Sequence, residues 1–292
     1  MPNRHALAAL ISLIPLMGCT PSANDSDTDS DTGTTAISST FIVTDNPHAD
    51  RSGFGDFARY VDMNGLGVYG EDGISDEKLI YVANIFAELL DNDEDGQWDD
   101  QAVFDELLAK EALMPVFTDE GSPAEEEFFN NYDGEGVSAV LYDNEVDPSQ
   151  PGHWGSDATI EETMHTINHR GHVSVYPDVF ALEPDSSRLT EAMDVARGGQ
   201  WIRHPNSYPE EAWYHYDDRT CDYECMAIEY IYWAQVSKMG ILNDVQTCNG
   251  IRNEWELCSP ELVESQDTLI HSILIDPDQP LPQLAPDGVY AP

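Results

Sequence analysis

One segment, EETMHTINHRGH, dictates how the middle of this chain packs. It places Glu161, Glu162, His165, His169 and His172 alongside Ile160, Met164 and Ile167. At about 100° per residue the five polar side chains fall within roughly a 100° arc of one helix, and the three apolar ones lie on the opposite side. A helix of this kind buries its apolar stripe in a core and gathers carboxylates and imidazoles on the other face. Those groups are ligands for divalent ions, so the segment is a candidate metal site. The competing reading is a polar helix face without an ion, its histidines favoured near the C-terminal end by the helix dipole.

The flanking sequence supplies a framework for that helix. Asn64-Gly65 inside YVDMNGLGVY reads as a hairpin turn between strand-prone runs. Ser75-Asp76-Glu77 caps a helix whose Leu79, Val82, Ala83, Phe86, Leu89 and Leu90 recur at helical spacing. A second helix is expected over Val103–Glu111, a strand over Val137–Tyr142 and a loop over Asn144–Trp154. Further helices are expected over Leu189–Arg197, Cys221–Met239 and Leu262–Leu274. The last 17 residues hold five prolines and should wrap the surface. The expected fold is α+β: residues 41–292 as a mostly helical single domain with a small sheet.

Charge narrows the partners. Twelve Lys and Arg stand against 56 Asp and Glu, a formal net charge of −44. Such a field repels nucleic acid and attracts hard cations. A solvated acidic surface accounts for the same numbers. There is no GxSxG elbow, P-loop or GxGxxG word, which removes the commonest serine-hydrolase and nucleotide-binding signatures.

At the N-terminus, Arg4 and His5 precede an apolar run from Ala6 to Met17 that is shorter than the roughly 20 residues of a spanning helix. Leu16-Met17-Gly18-Cys19 resembles the lipobox of bacterial lipoproteins. The resemblance implies a signal peptide over 1–18, lipidation of Cys19, and attachment to a membrane through that lipid. Thr20, and not Asp, follows the Cys, which implies the outer membrane. Residues 19–40 are acidic and polar and read as a flexible tether. In the oxidising compartment so implied, Cys221, Cys225, Cys248 and Cys258 read as two disulfides, with three pairings open. A four-thiolate zinc site is the rival, and CxxxC fits it poorly.

The segment DNDEDGQWDD sits between two expected helices. Asp91, Asp93, Asp95, Gly96, Gln97 and Asp99 match positions 1, 3, 5, 6, 7 and 9 of an EF-hand-like calcium loop over residues 91–102. Ala102 stands where the bidentate Glu belongs, with Asp100 or Asp105 as substitutes. An acidic interhelix turn without Ca2+ is the alternative.

EETMH itself resembles the HExxH word of zincin metallopeptidases, in which two His ligands flank a general-base Glu. The match gives Glu162 the catalytic base position and His165 a ligand position, and Glu161 replaces the first His. A carboxylate binds Zn2+ at about 2.0–2.2 Å, but its charge weakens the Lewis acidity of the metal. In the gluzincin branch the third ligand is a Glu on a later helix, which implies Glu229 in AIEYIYWA. An alternative register pairs His165 with His169 and one of the two glutamates, a set that also suits iron. The resemblance implies a zincin-like architecture and a zinc-dependent peptidase, or a degenerate descendant of one. The alternative function is a non-catalytic, calcium-stabilised surface lipoprotein that binds a peptide or polysaccharide. The aromatic cluster from Trp201 to Trp233 would be its platform, unless those rings are core.

Overall fold

The structure is a computed structural model that describes residues 37, 38 and 40–292. The expected signal peptide, Cys19 and nearly all of the tether lie outside the described residues. The fold is α+β. Strands β1 (Val43–Asp45), β2 (Phe57–Met63) and β3 (Leu66–Glu71) pair antiparallel. Helices α1 (Asp76–Leu90) and α2 (Gln101–Ala109) lead to β4 (Leu113–Phe117), which joins β3 in parallel. Helix α3 (Pro123–Asn131) precedes β5 (Leu141–Tyr142), which extends the sheet in the order β1-β2-β3-β4-β5. Helix α4 (Thr159–Ile167), short α5 (Val173–Val175) and α6 (Pro177–Phe180), then α7 (Arg188–Ala196) follow. The long α8 (Tyr223–Lys238), α9 (Val245–Gly250), α10 (Pro260–Gln266) and α11 (Thr268–Leu274) complete the molecule.

The local sequence explains the first elements. Asn64 and Gly65 both take positive φ, 52° and 100°, as a tight two-residue hairpin requires, and Met63 pairs with Leu66 across it. Ser75 accepts a hydrogen bond from Lys78 N and starts α1. Alternation along the strands then separates two apolar layers. Val61, Val68, Met114 and Val116 enter the main core with α1, α4 and α8. Tyr60, Tyr69, Leu113 and Phe117 point the other way, into a smaller aromatic cluster with Phe54, Phe57 and Phe128 beneath α3.

Several expectations are corrected. The strand expected over Val137–Tyr142 is only Leu141–Tyr142, because the preceding segment is bound by side chains of α4's extension: Arg170 donates to Val137 O, and Ser138 Oγ contacts His169 Nδ1. Strand β4 was not foreseen, since Pro115 argues against a strand. β5 meets β4 only at Val116 and Phe117, so the ladder on that side begins after the proline. The helix expected over Leu262–Leu274 is broken at Asp267, whose carboxylate caps α11 and also accepts from Trp213 Nε1 (2.8 Å) and Tyr230 OH (2.6 Å).

The central helix also departs from its pattern. After α4 the chain makes one wide π turn over Asn168–His172. That turn changes the angular phase, so the five polar residues no longer share one face. His172 goes inside against Phe180, at 5.3 Å between ring centroids. Gly171 permits the close packing, because a Cβ there would stand 2.7 Å from Val103. Asn168 anchors the turn through Gln235 Oε1 at 2.8 Å.

The proline-rich end forms a strap over α1 and the acidic loop. Asp287 N and Gly288 N donate to buried Glu88, Gln283 N and Leu284 N donate to Asn92, and Tyr290 packs on Phe41.

Candidate metal centre

Helices α4 and α8 pack against each other and bring distant parts of the chain to one point. Glu161 and His165 lie one turn apart on α4, and Glu229 comes from the second turn of α8. Each offers a ligand atom, and the three atoms lie within 4.8 Å of one another. His165 Nε2 is 3.5 Å from Glu229 Oε2, and neither atom has a hydrogen-bond partner, although each residue is only 7% exposed. Two ligands held about 2.0–2.1 Å from one tetrahedral ion stand ~3.3–3.4 Å apart. The pair therefore has the spacing of co-ligands, and no ion lies among them.

Each converging residue has a second partner. His165 Nδ1 is 3.3 Å from Glu162 Oε2. Tyr216 OH donates to Glu229 Oε1 at 3.0 Å. Tyr232 stands edge-on to the His165 ring at 5.6 Å, and its hydroxyl bonds Glu161. Such outer contacts fix imidazole tautomer and carboxylate orientation at metal sites. With Nδ1–H directed to Glu162, the Nε2 lone pair is free for an ion. This placement revises the expected role of Glu162: its carboxylate addresses the far nitrogen of the ligand imidazole, where it orients the ring and does not face the open coordination position.

The electrostatics point the same way. Burial, then Glu229 and Glu162, push the Glu161 carboxyl well above the usual range. Burial also raises Glu162, against the opposing pull of His165. Burial alone would lower His165, yet the carboxylates of Glu229 and Glu162 together hold it well above its ordinary value. Glu254 is pushed up to about 8 by burial and by Glu229. Among the described residues, no Lys or Arg forms an ion pair with Glu161, Glu162, Glu229 or Glu254. The cluster is short of positive charge.

The other expected ligands stand apart. His169 is not one of the three converging residues. Its Nδ1 contacts Ser138 Oγ at 2.7 Å, and burial beside Arg170 pushes it down to about 3. His153 sits on the surface with Ser156. Tyr214, Tyr216, Tyr230 and Trp233 are buried, which gives the core reading for most of the aromatic cluster. The cysteines pair as Cys221–Cys225 and Cys248–Cys258, so no four-thiolate site exists. The sequence did not reveal Tyr216, because nothing local marks a phenol that meets α8 from a separate segment.

In the acidic loop, oxygens of Asp91, Asp93 and Asp99 come within 4.8 Å of one another. Gly96 turns the chain with φ 79°, and Asp91 accepts from Asp95 N and Gly96 N. Asp95 is turned toward Gln97, taking its N and Nε2 at 2.9 and 3.0 Å, and stands outside that trio. Neither expected substitute for the twelfth position serves. Asp100 caps α2 and accepts from Tyr176, and Asp105 bonds Gln101. No protein-family model, no characterised protein and no solved structure matches the chain.

Proposed function

We propose that this chain is an extracytoplasmic metalloprotein holding one transition-metal ion, Zn2+ by its donor set, on Glu161, His165 and Glu229. The observation that carries the reading is the buried, unpartnered pair His165 Nε2 and Glu229 Oε2. Two buried polar atoms left unsatisfied are costly unless something outside the chain completes them. Three protein ligands leave a fourth position for water or substrate, the pattern of catalytic and not structural zinc.

The chemistry that fits is metal-assisted hydrolysis of an amide, the zincin-type reaction. A bound metal would lower the pKa of water at the fourth position. Glu162 fixes the His165 ring, and Tyr216 holds Glu229 to a single ligating oxygen. Two carboxylate ligands make the ion a weaker Lewis acid than a His-rich set, so slow peptide hydrolysis is expected. Ca2+ between α1 and α2, on Asp91, Asp93 and Asp99, is the second ion of this reading and clamps two helices without catalysis. Both disulfides suit an oxidising compartment, and Cys19 is the proposed lipid anchor to the outer membrane.

The test is elemental analysis after purification in zinc-containing buffer and gel filtration through chelating resin. One equivalent of zinc, lost in His165→Ala, together with zinc-dependent cleavage of an unfolded protein substrate, is the expected result. Zinc binding without cleavage would favour the calcium-stabilised, non-catalytic alternative. Less than a tenth of an equivalent would end the metal-centre reading.

A further inference from the structure

Around the converging ligands, carboxylates exceed the charge that one divalent ion brings. Glu161, Glu162 and Glu229 are joined by Glu254, which interacts with Glu229 and, further out, with Asp217 and Asp218. Glu254 is partly buried and held in place. Its carbonyl accepts from His215 N at 2.7 Å, its neighbour Trp255 is fully buried and bridged to Tyr214, and the Cys248–Cys258 disulfide closes its segment. A fixed, buried excess of negative charge is unfavourable unless a cation meets it.

Two cations could do so: a second metal ion, or a positive group on the substrate. Glu229 separates them. A carboxylate that bridges two ions uses both oxygens, but Oε1 of Glu229 is occupied by the hydroxyl of buried Tyr216 at 3.0 Å. Only Oε2 is left for an ion. Glu254 is also not among the residues whose oxygens converge with His165.

We propose that the centre selects substrates bearing a positive charge, an amine or guanidinium, beside the group presented to the metal, with Glu254 as the specificity-determining carboxylate and exposed Asp217 at the rim. This rests on the metal-centre reading above. Anionic substrates such as phosphate esters or acidic peptides are repelled by the same field.

The experiment uses the cobalt(II)-loaded protein, whose visible spectrum reports both occupancy and ligand binding. Three hydroxamates of equal length are titrated in: 6-aminohexanohydroxamate, hexanohydroxamate and the monohydroxamate of adipic acid. The cationic probe should bind about tenfold tighter than the neutral one and the anionic probe more weakly still, with the preference shrinking at high salt. Glu254→Gln should bring cationic and neutral probes within about twofold, and Asp217→Asn should have a smaller effect in the same direction. If Glu254→Gln fails to fold, the salt dependence in the wild-type protein still decides. Equal affinities for the three probes overturn this inference and leave the metal centre standing. Two equivalents of cobalt also overturn it, by making Glu254 a ligand. No bound cobalt overturns both readings.

Discussion

His165 Nε2 and Glu229 Oε2 face each other across 3.5 Å without a hydrogen bond, one from α4 and the other from α8. His165→Ala and Glu229→Gln should each weaken zinc binding by more than about a hundredfold, read by competition with a chromogenic chelator. Glu229→Gln is the sharper variant, because it keeps the shape and an oxygen for Tyr216. Wild-type affinity in that variant would remove Glu229 from the centre.

The Tyr216–Glu229 bond predicts a graded effect. Tyr216→Phe removes one hydroxyl and should lower zinc affinity by about 10–100-fold, with Glu162→Gln in the same range. Calorimetric zinc titrations distinguish this from a folding defect. A structural role alone would change the melting temperature and leave the dissociation constant where it was.

Titration of the metal-free protein has a definite sign. The folded pKa values of Glu161, Glu162 and Glu254 lie above those of unfolded carboxyls, so the unfolded chain releases protons first and stability falls as pH rises through that window. His165, raised as well, contributes stability below about 6.5 that is lost as pH climbs through its folded value. The metal-free melting temperature should therefore drop between pH 5.5 and 8, and zinc should flatten the profile. Zinc must displace the His165 proton, so its affinity should weaken toward acid pH. A metal-free protein that grows more stable over this interval contradicts the placement of these groups.

Glu88, beneath the strap, makes an independent case. Burial pushes its carboxyl up to about 7, against the backbone hydrogen bonds of Asp287 and Gly288 that favour the charged form. Glu88→Gln keeps an acceptor for those N–H groups and removes the buried charge. It should stabilise the protein at pH 8, by about 3 kcal/mol as an upper bound, and do little near pH 4.5. Urea melts at the two pH values measure the difference.

At the acidic loop, millimolar Ca2+ should raise the melting temperature, and Asp93→Asn should abolish most of that rise. The same shift with Mg2+ at equal ionic strength would point to general screening.

Much of the frame was legible because its signals are local. Asn64-Gly65 set the hairpin, Ser75 set the start of α1, and the Ile160, Met164, Ile167 stripe oriented α4. Ser122-Pro123 also marks the start of α3, a cap overlooked among acidic residues. What stayed hidden depends on contacts across the chain. Pro115 masks β4, whose pairing is decided by its neighbours. Asp267 breaks a periodic run because Trp213 and Tyr230 reach it from elsewhere. The π turn that parts His172 from His165 answers to Gly171 against Val103. Glu229 could be named from its family resemblance but not from periodicity, since α8 is buried nearly all round and has no polar stripe.

The strap also sets the order in which this molecule can be finished. Tyr290 meets Asp91 across 199 positions of chain, and Gly288 meets Glu88 across 200. Synthesis and export deliver α1 and its acidic loop long before the residues that cover them. Until the final segment arrives, Glu88 has no backbone donors from Asp287 and Gly288, and that flank of the core stays open. Closure is thus a late event that awaits the chain end, and a polypeptide shortened by a dozen residues should stall one contact short of its native state.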